Sequence, residues 1–211
     1  MINVKQIIAE RQNEINLYFE HLEKIEKEVD KTLFKIMKAN ILLMLYNFVE
    51  AIVSNSIDEI RDQIYNDIDV SFDHLKVEIR TQILKDLKKN ISPENFVKSC
   101  NYVSNDIIKL SFKKEEISKG NIDRSTIIEL ATIYGFNVKQ SNYGETAHGN
   151  TLKVIKDKRN DLAHGTFSFA EIGKDYSIQD IEYLKNKTIA YLNFVVSQID
   201  IYIEEKKYMI A

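Results

Sequence analysis

The residues in this chain best suited to chemistry are Arg159, Asn160 and His164, within Lys158-Arg159-Asn160-Asp161-Leu162-Ala163-His164-Gly165. Histidine as a residue type titrates near neutrality and can pass protons as acid or base. Arginine presents a permanent, planar set of donors that matches a phosphate or a phosphorane. RNA suits such a pair because its own 2′-hydroxyl supplies the nucleophile, leaving the protein proton transfer and charge stabilisation. A helix is expected over 151–164, ended by Gly165, a residue able to take the positive φ a helix end needs. On that helix Asn160 and His164 are four apart and share a face, about 5–6 Å from each other. Arg159 and His164 are five apart, which separates them by about 140° around the axis. One helix therefore aims the pair poorly at a single atom, and a second copy related by a two-fold axis would close the gap. The Arg-x4-His spacing is weak on its own. With five Arg and four His in 211 residues, a spacing of this kind arises by chance roughly a quarter of the time. A structural reading competes with the chemical one: the helix macrodipole favours His in the last turn, and Arg159 can simply pair with a nearby acid. On spacing alone that reading weighs more.

Other chemistries find no support. The chain has no Cys/His cluster with zinc spacing, no Gly-rich phosphate loop and no Gly-x-Ser-x-Gly elbow. Neither a metal site nor a cofactor is expected. The single cysteine, Cys100, cannot form an internal disulfide, which argues against a secreted disulfide scaffold and for a cytoplasmic home. The N-terminus carries early charges and no apolar h-region, so no signal peptide is expected. The most apolar stretch, 39–57, contains Asn40, Asn47, Glu50, Ser54 and Asn55, which marks a core helix rather than a membrane span. Net charge is −3 with pI near 5.9, so any RNA contact must rest on a local patch. The candidate patch is Lys153, Lys156 and Lys158 beside Arg159, four cations in seven residues.

The elements that must position these groups are helical. All six glycines fall between Gly120 and Gly173, and the one proline is Pro93. Long helices are therefore expected before residue 90 and after 176, with the turns gathered between. Segment 2–29 carries Ile8, Ile15, Leu22 and Val29 seven apart, a seam for packing on a bundle. Segment 31–65 is the most apolar, interrupted by Asn47 and Glu50, which share a face and either have structural partners or face a site. Segment 71–89 reads as an amphipathic surface helix, and Ser92-Pro93 as the start of another. Asp123 reads as the N-cap of a helix ended by Gly135, and 136–150 as a polar loop holding His148, a loop histidine. Ser177 and Asp180 form a capping box opening a last helix to about Lys206, with Ile181, Leu192, Val195, Ile199 and Tyr202 as its inner row. The result is an all-α chain of 211 residues, read as a single domain with 1–30 packing on the bundle.

Arg159-Asn160-x-x-Ala163-His164-Gly165 resembles the signature of the HEPN superfamily, all-α dimeric proteins of which many are metal-independent ribonucleases. The stretch Phe167-Ser168-Phe169-Ala170-Glu171-Ile172-Gly173-Lys174-Asp175-Tyr176-Ser177 is similar to the branch of MAE-type HEPN-like nucleases, as is Leu45-Tyr46-Asn47-Phe48-Val49-Glu50. The resemblance runs from about residue 35 to the C-terminus and is densest around 155–177. It implies a HEPN-like bundle in which Arg159 and His164 are the catalytic pair and Asn160 supports them. It also implies that two motif helices meet across a homodimer cleft, with a polar group from the 31–65 helix, Asn47 or Glu50, reaching toward them. The implied function is an endoribonuclease, toxin-like or acting in phage defence, with an antitoxin or defence-system protein as partner. The alternative is a catalytically silent helical dimer that binds RNA or a partner protein.

Overall fold

The computed structural model describes residues 1–90 and 121–210. Its helices are α1 (Ile2–Ile25), α2 (Lys31–Asn66), α3 (Val77–Asn90), α4 (Arg124–Tyr134), α5 (Tyr143–Thr146), α6 (Asn150–Ala163), α7 (Phe169–Lys174) and α8 (Ile178–Glu204), with 3-10 turns at Phe72–His74 and Ala147–Gly149. No strand occurs among the described residues; an isolated bridge joins Leu75 to Met209. The expected readings at Ser92-Pro93, at Cys100 and over 101–120 lie outside the described residues.

The centre is α2, against which α1, α6, α7 and α8 all pack. Ile41, Leu42, Leu45, Phe48, Val49, Ile52, Ile57, Ile60 and Ile64 are all buried along it, as expected of a helix apolar around much of its circumference. By length and composition it could cross a membrane, yet 56% of its most apolar window is already buried inside the fold. Asp30 sets its start by accepting hydrogen bonds from the Thr32 and Leu33 amides, and α1 ends at Ile25 rather than near 29. Ile8, Ile15 and Leu22 of the predicted seam are buried, joined by Val4 and Phe19.

Two other boundaries differ from the expectation. The predicted 71–89 helix begins only at Val77, because the C-terminal tail claims the backbone before it. Lys76 N–H donates to the Tyr208 carbonyl and Ile210 N–H to that of His74. The predicted polar loop 136–150 contains α5 and a tight turn in which Ala147 and His148 both have positive φ. His148 is held there by Ser141, whose Oγ lies 2.8 Å from Nδ1, and by the Tyr143 ring.

Close approach of α7 to α2 depends on Gly173. A Cβ built there would lie 1.8 Å from the Lys35 carbonyl oxygen, well inside any tolerable contact. Just beyond it, the ammonium of the buried Lys38 donates to the Tyr176 carbonyl. The packing thus fixes the α6–α7 connection, and with it the end of the motif helix.

Candidate active site

Helix α6 carries the motif and is anchored at its start by Leu152, Ile155 and a buried pair of hydroxyls, Thr151 and Thr188, 2.9 Å apart. Its end is a Schellman motif. Gly165, with φ of 68°, donates its N–H to the Leu162 carbonyl, and Thr166 donates to Asp161. Those two bonds satisfy carbonyls that a helix end would otherwise leave bare. His164 is therefore the capping residue, exposed, with no side-chain partner among the described residues.

Arg159 points the other way, into α2. Its guanidinium sits 4.0 Å from the centroid of the Tyr46 ring, and Nη2 lies 3.7 Å from Glu50 Oε1. Tyr46 and Glu50 are one turn apart on α2 and so form a single cradle. The ring supplies quadrupole attraction worth about 1 kcal/mol, and the carboxylate adds a partly solvated ion pair of the same order or less. The Tyr46 side chain is buried, and its hydroxyl accepts the Ile122 N–H at 3.3 Å. Burial pushes the phenol above its ordinary pKa, which keeps it neutral beneath the cation.

Three consecutive residues before α4 brace this arrangement. Asn121 Oδ1 accepts from Asn160 Nδ2 at 3.1 Å, Ile122 binds Tyr46, and Asp123 pairs with Lys156 at 2.5 Å. Asp123 also caps α4, accepting from the amides of Ser125 and Thr126 and from the Ser125 hydroxyl. Burial opposes its ionisation, but Lys156 and the cap bonds outweigh that and hold its pKa at about 2.

Of the residues singled out from sequence, Arg159 and Glu50 are brought together. Asn160 is one helix position further and turns to Asn121. Asn47, three residues before Glu50, is exposed and does not reach Arg159; its backbone carbonyl accepts from Arg11 instead. Lys153 is exposed and pairs with Asp157 at 2.6 Å. Lys158 lies 3.5 Å from Asp161 and over the Phe167 ring. Lys156, expected with them in the RNA-contacting patch, has a side chain 17% exposed and pairs with Asp123. Tyr46 takes no chemical role in the residue pattern of the sequence; an aromatic one turn before a carboxylate on the same apolar helix is the signal available there. Asn121 left no local signal, since its partner is 39 residues away.

Among the described residues no three of His, Cys, Asp or Glu gather as a metal ion would require. No curated protein and no solved structure matches the chain. A family model described as HEPN_MAE_28990-like HEPN matches residues 3–208, so that α1 lies within the match and the resemblance reaches further toward the N-terminus than residue 35. With an all-helical fold and a match across nearly its whole length, this chain belongs to the HEPN_MAE_28990-like HEPN family.

Proposed function

We propose that the chain is an endoribonuclease that needs no divalent metal and works as a homodimer, as a toxin-like or phage-defence effector. The family lies within a superfamily of nucleases and RNA-related proteins, and the site geometry supports the finer reading. What carries it is the unequal treatment of the motif pair. Arg159 is held on Tyr46 by α2, a fixed cation, while His164 is left at the helix end with its ring open to an approaching strand.

In the proposed reaction the RNA 2′-oxygen attacks the adjacent phosphorus, forming the O2′–P bond and breaking the P–O5′ bond. Imidazole removes the 2′-hydroxyl proton, and a proton is returned to the departing 5′-oxygen. Arg159 stabilises the extra negative charge of the phosphorane. The products are a 2′,3′-cyclic phosphate and a free 5′-hydroxyl. Because Arg159 turns inward and His164 does not, a partner copy bringing its own motif helix would complete the set. Val154 and Phe167, 39% and 47% exposed on and just after α6, give that contact apolar material.

A second reading has one observation in its favour. Glu50 already pairs with Arg159, at 3.7 Å, an arrangement a silent RNA-binding or protein-binding dimer would also keep. One experiment separates the two. Purified protein is incubated in EDTA with RNA, with the same RNA carrying a single 2′-deoxy residue at the cut site, and with the His164→Ala variant. Cleavage of the first substrate alone, lost in the variant, supports the nuclease. Cutting at the deoxy position, or dependence on metal, overturns the mechanism.

A further inference from the structure

We propose that Arg11, on α1, binds a backbone phosphate of the RNA strand flanking the cleaved position, which makes the N-terminal helix one wall of the substrate groove. This deepens the ribonuclease reading and rests on it. An open groove of about 420 Å³ runs over α2 between Arg11 and Glu50, floored by Asn47, Ala51, Ser54 and Asn55. Small and polar side chains on one side of an otherwise apolar helix leave this channel uncovered.

The groove adjoins the candidate site at Glu50, a residue that lines it and whose Oε1 lies 3.7 Å from Arg159 Nη2. At its other edge Arg11 is exposed and spans from α1 to α2 by one bond, Nη1 to the Asn47 carbonyl at 3.3 Å. That bond engages a single donor of the five a guanidinium carries. A packing contact between two helices does not call for a cation; a cation with free donors in a polar groove fits a phosphodiester. Asn47 and Glu50 are three apart, on the order of 5–6 Å between Cβ atoms, so Arg11 and Arg159 attach to neighbouring points of one helix face and can hold neighbouring phosphates of one strand. Glu14 lines an adjoining pocket together with Arg11, on the side away from Glu50. The exposed amide of Asn47, and Asn55 with its Nδ2 already given to the Ala51 carbonyl at 2.7 Å, leave acceptors and a donor for the attached base.

The test measures binding of a fluorescein-labelled single-stranded RNA of twelve residues by anisotropy across a salt series, in full-length protein carrying His164→Ala so that the RNA survives. Arg11→Ala should flatten the slope of log affinity against log salt by about 0.7, the release from one single-strand phosphate contact, and weaken binding about five-fold at 0.1 M salt. Arg11→Lys should keep the slope. Lys139→Ala, a matched loss of charge at an exposed position between α4 and α5, should change neither value. An unchanged slope in Arg11→Ala, or an equal change in Lys139→Ala, overturns the subsite. If the chain with intact His164 still cuts that RNA, the ribonuclease reading survives the loss. Failure of the chain either to bind or to cut RNA sinks both.

Discussion

Replacing Asp123 by Asn should remove a pH-dependent part of the stability of this fold whose size can be worked out in advance. Asn keeps an oxygen for the Ser125 and Thr126 amides, so the α4 cap survives and the charge opposite Lys156 is lost. The carboxyl falls from its ordinary 3.8 to about 2 in the folded chain, which corresponds to about 2 kcal/mol of stability when it is fully ionised. The sign follows from the depressed value. The contribution is complete above about pH 4, where the unfolded carboxyl is also ionised, and is lost as pH falls toward 2, where the folded one takes up its proton. Urea unfolding of wild type and Asp123→Asn should therefore differ by about 2 kcal/mol at pH 7 and by about half of that at pH 3. Subtracting one protein from the other at each pH cancels the many carboxylates they share. A gap that stays constant across this range, or widens as acid is added, would refute the assignment of the stabilisation to an ionised Asp123. Adding Lys156→Met to Asp123→Asn should recover part of the loss, since it removes the half-buried ammonium left facing a neutral amide.

Other changes have equally definite outcomes. Gly173→Ala drives a methyl into the Lys35 carbonyl, so it should cost about 1–3 kcal/mol and lower the melting temperature by several degrees in a thermal scan; an unchanged melt would show that α7 can move off α2 freely. Arg61→Leu leaves the buried Asp86, 3.6 Å from the guanidinium, facing an apolar group, and also removes the donor to Tyr134. It should cost about 3–5 kcal/mol in chemical unfolding, with much of that returned by a second change, Asp86→Leu; additive losses would contradict the pairing. Tyr46→Phe keeps the ring under Arg159 but strands the Ile122 amide, whereas Tyr46→Leu removes both interactions. Single-turnover RNA cleavage should therefore fall further in Tyr46→Leu than in Tyr46→Phe, and equal rates would mean that the ring does not position Arg159.

Local signals carried much of this fold in the sequence. The Asp123 cap, the Gly135 stop and the Ser177–Asp180 box are each decided within a few residues, and all three stand where expected. The α2 core and the inner row of α8 follow from periodicity, which burial enforces along a whole helix. The misses have non-local causes. Helix α3 starts late because Tyr208 and Ile210 bind its approach from more than 130 residues away. The Tyr46–Arg159 stack and the bond between Asn121 and Asn160 join separate parts of the chain, and no spacing rule reaches across them. Counting the four cations of 153–159 likewise does not show that Lys156 meets the Asp123 carboxylate, which stands in a separate part of the chain.

The bracing run 121–123 has a consequence for how motion in this molecule is shared. Its three residues grip two helices in alternation: Asn160 on α6, Tyr46 on α2, and Lys156 on α6 again, through the residue that caps α4. Slow amide exchange at Ile122 would then report on the opening of the Tyr46 contact, and exchange in the first turn of α4 on the release of Lys156. If the run acts as one cooperative unit, both should open with the same free energy and respond together to a change at any of the three grips. The cradle around Arg159 would then come apart in a single step, so that a perturbation more than thirty residues before the motif in the chain reaches the cation directly.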